Sequence, residues 1–454
     1  MMQDYEIINA DCLSAMQEMT DGCIDAIVTD PPYGLAFMGA KWDTFGRDKQ
    51  YGNDSMEVRS KKALDYATAN KGAPRYGNGH GPGKLTAAEA LAFQNAMTPI
   101  FKEAIRVAKP GAHLLCFGGT RTFHRMTCAI EDAGWEIRDC IMWVYGSGFP
   151  KSMDVGKAID KALGAKREKV RVPADKVRNP KSINSGHGIE GGDRPWMKKA
   201  MEVGYHEMDG NTPTTDQAKE WDGWGTCLKP AWEPIIVARK PLDGTVAHNV
   251  MEHGTGAINI DGCRIPTSDN LNGGTYSKNA IEYDATSFAP KNGIGEFVQP
   301  SGRFPANLVH DGSQEVLELF PDTGRSSGGG GIKTPGRNGI YGTFNGHEYP
   351  QQLGLGDSGS AARFFYCAKA SKRDRGEGNN HPTVKPNALM RWLVRLVCPQ
   401  GGTVLDPFMG SGSTGVACIQ EGMRFVGIDM DEHYCEIANT RISKEADTVF
   451  CENQ

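Results

Sequence analysis

The sequence has no Cys-x-x-Cys pair, and no two of its 12 cysteines lie within ten residues of each other. That spacing excludes the common zinc and redox motifs and offers no disulfide framework. The thiols read as reduced and mostly buried, and no metal site is expected. No apolar run approaches the roughly 20 residues that span a bilayer, so no membrane partner is expected. The opening MMQDYEII lacks a basic segment followed by an apolar one, so no secretory signal is expected and the location reads as cytoplasmic. Excess charge is also small: 50 Lys and Arg against 55 Asp and Glu give a net −5. The chain as a whole is therefore not a strongly basic nucleic-acid binder. The imbalance is local. Between Lys151 and Lys199, thirteen basic residues stand against six acidic ones, consistent either with a phosphate-binding patch or with a solvated insertion.

What is present is an ordinary globular composition, 39% apolar and 23% charged, over 454 residues, long enough for two or three domains. Residues 1–150 alternate strands and helices. YEIINAD and DAIVTD are short apolar strands ending in acids. AMTPIFKEAIRVAKPG places Met97, Ile100, Phe101, Ala104 and Ile105 on one helical face, closed by Lys109-Pro110-Gly111. AHLLCFGG and EIRDCIMWVY follow as strands, with a helix over Thr122–Asp132 between them. This alternation predicts a parallel α/β sheet. From 151 to 232 the pattern dissolves into a basic insertion. A strand returns over 233–242, in EPIIVARKP, and 243–380 is weakly periodic and Gly-rich. Order resumes over 381–454. NALMRWLVRLV puts Leu389, Trp392, Leu393, Leu396 and Val397 on one helical stripe, followed by TVLD, STGVACIQEG, RFVGID and a final helix.

Two stretches carry chemistry. In DAIVTDPPYGL an apolar strand runs into Asp30-Pro31-Pro32-Tyr33. Adjacent prolines donate no backbone hydrogen bonds and hold the chain extended, which leaves carbonyl acceptors flanked by an acid and an aromatic ring. In TVLDPFMGSGSTGVA, Gly410 to Gly415 form a G-x-G-x-x-G that follows a strand, opens a helix and precedes a strand ending at Asp429. That is the layout of a nucleoside-binding βαβ unit, with the terminal acid able to hold ribose hydroxyls. No Lys-Ser/Thr follows the glycines, so a P-loop is excluded. A dehydrogenase is disfavoured by position, because only 39 residues follow Gly415. The missing strands must come from the front of the chain, which brings the acid-proline rim and the glycine turn to one cleft at the carboxyl ends of the strands.

With these residues in this order, the chain resembles the beta-class amino DNA methyltransferases. The matching stretches are Asp30-Pro31-Pro32-Tyr33, His381-Pro382-Thr383-Val384-Lys385-Pro386, Asp406-Pro407-Phe408-Met409-Gly410-Ser411-Gly412 and Gly427-Ile428-Asp429. They cover roughly 1–150 and 381–454. The resemblance implies a circularly permuted, doubly wound Rossmann-like sheet with a large target-recognition region, here 243–380 together with the basic insertion. It implies S-adenosylmethionine as cofactor and double-stranded DNA as partner. A homodimer and a cognate restriction nuclease are left open.

The resemblance also implies roles. Asp30 and the Pro31 carbonyl, stiffened by Pro32, would accept the N–H groups of an exocyclic amine, and Tyr33 would stack on the base. Asp406, Phe408, Gly410 and Gly412 would shape the cofactor turn, and Asp429 would take the ribose. Thr383 and Lys385 would approach the cofactor carboxylate, Lys385 being otherwise a solvated charge near a helix start. Asp11 would meet the adenine edge, or cap the helix that follows it. Trp143 and Phe149 read as base-pocket walls or core, His381 as structural, and Trp232 and Glu233 as strand-edge packing. The resemblance implies that an Asp at the first motif position usually accompanies adenine and a Ser cytosine, so adenine N6 is the expected acceptor. Cytosine N4, an RNA amine and a non-catalytic DNA-binding protein are the alternatives.

Overall fold

The computed structural model describes residues 4–34, 86–148, 152–173, 202–269, 271, 298–324, 337–339, 342–344, 358–369, 371–381 and 383–452. Phe149 and Pro382 lie outside them. Nine strands form the main sheet: β1 Tyr5–Asn9, β2 Ile24–Thr29, β3 Ala108–Phe117, β4 Glu136–Val144, β5 Trp232–Arg239, β6 Leu308–His310, β7 Tyr366–Cys367, β8 Thr403–Asp406 and β9 Arg424–Asp429. Their spatial order is β1-β9-β8-β2-β3-β5-β4-β6-β7. The two C-terminal strands are thus wedged between the two N-terminal ones. Val404 and Leu405 pair with Ala26 and Ile27, and Tyr5–Asn9 runs parallel to Phe425–Asp429. The joining of chain ends expected from the sequence is what completes the sheet.

Helices cover both faces: α1 Cys12–Gln17, α2 Ala87–Val107 and α3 Phe123–Asp132 on one, α4 Asn387–Val397, α5 Ser413–Gln420 and α6 Glu432–Glu452 on the other. The period-2 pleat of the central strands decides which residue faces which layer. Leu115 and Phe117 of β3, with Ile235 and Val237 of β5, pack toward Trp392 and Leu393 of α4. Leu114, Cys116, Ile236 and Ala238 pack toward Phe93, Met97 and Phe101 of α2. Helix α2 starts ten residues before the apolar stripe read from the sequence, on a capping box between Thr86 and Glu89.

Three features depart from the expectation. The sheet is mixed, because β5 runs antiparallel to both β3 and β4. The insertion leaves from the end of β4 and returns at the same edge, where the Tyr145 N–H donates to Ala231 O over 2.9 Å. A strand entered from that edge has to run back down the sheet. Second, 243–380 is not irregular throughout, since β6 and β7 extend the main sheet beside β4. Third, the insertion has order of its own. A hairpin pairs Lys169–Pro173 with Tyr205–Asp209, and a helix, Val155–Ala162, carries Asp160 to Arg167 at 2.7 Å. Lys169 and Arg171 meet Asp209 and Glu207 across the hairpin, so several of the segment's positive charges are matched locally.

Candidate active site

Strand β2 ends at Thr29 and delivers Asp30 to the carboxyl edge of the sheet, beside Asp406 at the end of the neighbouring β8. Pro31 is buried, and Pro32 and Tyr33 are half-buried. The ring of Tyr33 lies over Gly119, just past β3, where an added Cβ would come within 3.0 Å of the ring. Its hydroxyl donates to Asp30 Oδ1 over 2.7 Å. Burial, and then the Asp30 and Glu233 carboxylates, push this phenol well above its ordinary range, so it stays protonated and acts as donor.

Lys385 occupies the centre of the pocket. Its Nζ lies 2.7 Å from Glu233 Oε2, 3.2 Å from Asp30 Oδ2 and 3.2 Å from the Tyr33 hydroxyl oxygen. It faces the rings of Phe117 at 4.5 Å, Tyr33 at 5.7 Å and Trp143 at 5.8 Å. Burial works against its charge, but Asp30 and Glu233 outweigh that and hold the ammonium above the ordinary lysine range. Sequence reasoning sent Lys385 toward a cofactor carboxylate and left Glu233 as edge packing. The structure brings the two together against Asp30. Glu233 stands opposite Trp143 in the β4–β5 register. Only that pairing reveals it; the one signal in the sequence is an acid at the head of an otherwise buried strand.

The glycine turn is built on the far side of Asp406. This aspartate is 2% exposed and its oxygens are taken up internally. Oδ1 accepts from Thr29 Oγ1 at 2.7 Å and Phe408 N at 3.1 Å, and Oδ2 from Thr414 Oγ1 at 2.6 Å. Asp406 therefore shapes the turn from beneath. Gly410 and Gly412 adopt left-handed backbone, with φ of 52° and 78°. A Cβ on Gly410 would meet His381 Nε2 at 2.8 Å, and one on Gly412 would meet Ala438 of α6 at 2.9 Å. Asp429, at the end of β9, accepts from Gly410 N over 2.9 Å and stays partly exposed. His381 packs edge-on to Tyr434 with ring centroids 4.5 Å apart, and its Nδ1 lies 2.9 Å from the carbonyl of the exposed Thr383. Arg441 reaches back from α6 to the Ser411 carbonyl and, at 3.1 Å, to its hydroxyl. Asp11 is exposed and caps α1, accepting from Ser14 N at 3.0 Å. The cap does not prevent a ligand role, since its other oxygen is not used in that bond.

Burial raises the Asp406 carboxyl to about 6, against the lowering effect of its hydroxyl and amide donors. The folded chain thus holds this proton more tightly than the unfolded chain does. Its contribution to stability is full below the ordinary aspartate range and is lost as pH rises through about 6. In denaturant titrations, wild type should lose about 3 kcal/mol relative to Asp406→Asn between pH about 4 and about 6, with no further change above. A difference that stays flat across that window would refute the assignment.

The sheet and its glycine turn define the class: a Rossmann-like α/β core with the turn at the carboxyl ends of its strands. The sequence profile of the DNA methylase family that groups N6 and N4 enzymes matches residues 24–440, and the chain belongs to that family. Individual relatives align over shorter stretches. Type II methyltransferase M2.DpnII of Streptococcus pneumoniae is 34% identical over 92 residues, 20% of this chain and 34% of its own length. Type II methyltransferase M.ScaI of Streptomyces caespitosus is 36% identical over 88 residues, 19% of this chain and 29% of its own. The chain thus spans only about a third of the length of these curated relatives. Among solved structures, the M1.HpyAVI–SAM complex is similar at a TM-score of 0.36 and 13% identity, over 96% of this chain and 98% of that one. The cytosine-N4-specific PvuII DNA methyltransferase is similar at 0.38 and 11%, over 98% and 91%. Likenesses at that level carry no argument about the site.

S-adenosylmethionine is the cofactor that goes with this family. The residues around the turn suit it. Gly410 and Gly412 let the turn close tightly against His381 and α6, and Asp429 ends the adjoining strand with its carboxylate partly open. Among the described residues, no helix is long and apolar enough to cross a membrane.

Proposed function

We propose that this chain methylates the exocyclic N6 of an adenine flipped out of double-stranded DNA. The observation that supports it most is the 2.7 Å bond from Thr29 to Asp406. It joins the residue before the acceptor rim to the first residue of the cofactor turn, so both open onto one edge of adjacent strands.

S-adenosylmethionine, when bound, supplies an electrophilic methyl group on a sulfonium. Phe408, Gly410 and Gly412 would hold its methionine portion through their backbone, Asp429 its ribose, Asp11 its adenine edge and Thr383 its carboxylate. An exocyclic amine is a poor nucleophile because its lone pair is delocalised into the ring. Asp30 and the Pro31 carbonyl would each accept one N–H, drawing the nitrogen toward tetrahedral geometry and freeing the lone pair. The effect is one of positioning and electrostatics. The amine proton then passes to Asp30 or to water. Extruding the base costs about a few kcal/mol, and stacking on Tyr33 would recover roughly 1–3 kcal/mol. Sequence recognition would fall to the insertion over 151–232 and to the parts of 243–380 outside the sheet.

The acid at Asp30 favours adenine over cytosine by resemblance, while the geometry suits either amine. Digesting methylated DNA to nucleosides and weighing the product should yield N6-methyladenine. Recovery of N4-methylcytosine would overturn the choice of base.

A further inference from the structure

Among the described residues around Lys385, Glu233 is an acid that the acceptor rim does not use. It sits at the head of β5, and its carboxylate holds Lys385 at 2.7 Å, closer than Asp30 does at 3.2 Å. Lys385 is 8% exposed and enclosed by Phe117, Tyr33 and Trp143, so its charge has few other partners among the described residues. The pocket therefore holds two carboxylates for one ammonium. With Asp30 as its only counter-ion, Lys385 would move onto it, cancel its charge and occupy the oxygen that must accept the amine N–H. With Glu233 present, the ammonium has a second and closer counter-ion, at 2.7 Å. Asp30 keeps Oδ1 on Tyr33 at 2.7 Å, while its Oδ2 stands 3.2 Å from the ammonium, farther than Glu233 does. The pocket also retains one net negative charge. Methyl transfer moves positive charge onto the amine nitrogen, and that surplus stabilises the product-like charge more than the neutral ground state.

We infer that Glu233 is a positioning residue for methyl transfer, tethering Lys385 so that it orders Asp30 without neutralising it. The inference rests on the methyl-transfer reading above. Steady-state transfer from labelled S-adenosylmethionine to DNA, with cofactor affinity measured by calorimetry, tests it on the full chain. Glu233→Gln, nearly isosteric but uncharged, should lower kcat by about tenfold to hundredfold while cofactor affinity stays within about twofold. Glu233→Asp keeps the charge on a shorter arm and should fall between the two, about three- to tenfold below wild type. This order, wild type above Asp above Gln in kcat alone, is what a purely structural role would not produce. Equal kcat in all three, a parallel loss of cofactor affinity, or an Asp variant as impaired as Gln would each overturn the inference. If the Gln chain does not fold, Glu233→Asp decides alone: an unchanged kcat overturns it, a selective loss supports it. A wild-type chain that transfers no methyl group sinks the functional reading and this inference with it, whereas an active wild type with an unimpaired Glu233→Gln sinks the inference only.

Discussion

Replacing Asp30 with alanine should lower methyl transfer by at least about 10²–10³-fold, the loss expected when one preorganised group aimed at the reacting centre is removed. Cofactor affinity should change by no more than about threefold on the same reasoning, because the glycine turn does not depend on this side chain. The fold should survive. Lys385 keeps Glu233 at 2.7 Å, so the change leaves no buried ammonium without a counter-ion. The Tyr33 hydroxyl loses its 2.7 Å partner but has Glu233 within 3.4 Å. Labelled-methyl transfer and calorimetric titration of S-adenosylmethionine on the same preparation separate the two effects. If both fall together, Asp30 serves the cofactor instead, and the acceptor rim is misassigned.

The second large effect is expected at Gly412, where valine should destabilise the chain by roughly 2–5 kcal/mol and abolish cofactor binding. Two terms add. The backbone is left-handed at φ 78°, where a β-branched residue is strained. A Cβ would also lie 2.9 Å from Ala438 Cβ and 3.1 Å from Ile442 Cδ1, pushing α6 away from the turn. Against a total stability of about 5–15 kcal/mol, that loss is large. Gly401 supplies the control. Its φ is 71°, but an added Cβ there meets nothing within 4 Å. Gly401→Ala should therefore cost only the backbone strain, about 1 kcal/mol, and leave cofactor binding alone. Thermal melts of both variants give the comparison, and similar losses at the two positions would show that packing against α6 is unimportant.

Much of the core was legible because its signals are local. The strands TVLD and RFVGID, and the helix NALMRWLVRLV with its stripe from Leu389 to Val397, fall where the periodicity places them. A strand or helix of that strength is set by the alternation of apolar residues along a few turns or pleats. That N-terminal strands complete the sheet followed from arithmetic on where the glycine turn sits in the chain, together with the rule that a doubly wound sheet needs more strands than 39 residues supply; that β2 is the one beside β8 came from the structure. By contrast, β6 and β7 are three and two residues long, too short to show a period, and only their partners make them strands.

The same division runs through the site. By itself, the amino-acid sequence determined the backbone character of the two strand ends: prolines that free carbonyls beside Asp30, and glycines that allow the left-handed turn at 410 and 412. Backbone sterics are properties of single residues and survive any change of context. Tertiary structure alone decided which charges meet. Glu233 and Lys385 are 152 residues apart and touch because β5 runs antiparallel beside β4, a direction set by the insertion returning to the edge it left. Asp406 turned inward for the same kind of reason: Thr29 and Thr414 arrive from a neighbouring strand and the following helix and use up its lone pairs. Electrostatic partners depend on distance in space, and distance in space is what strand order and direction specify.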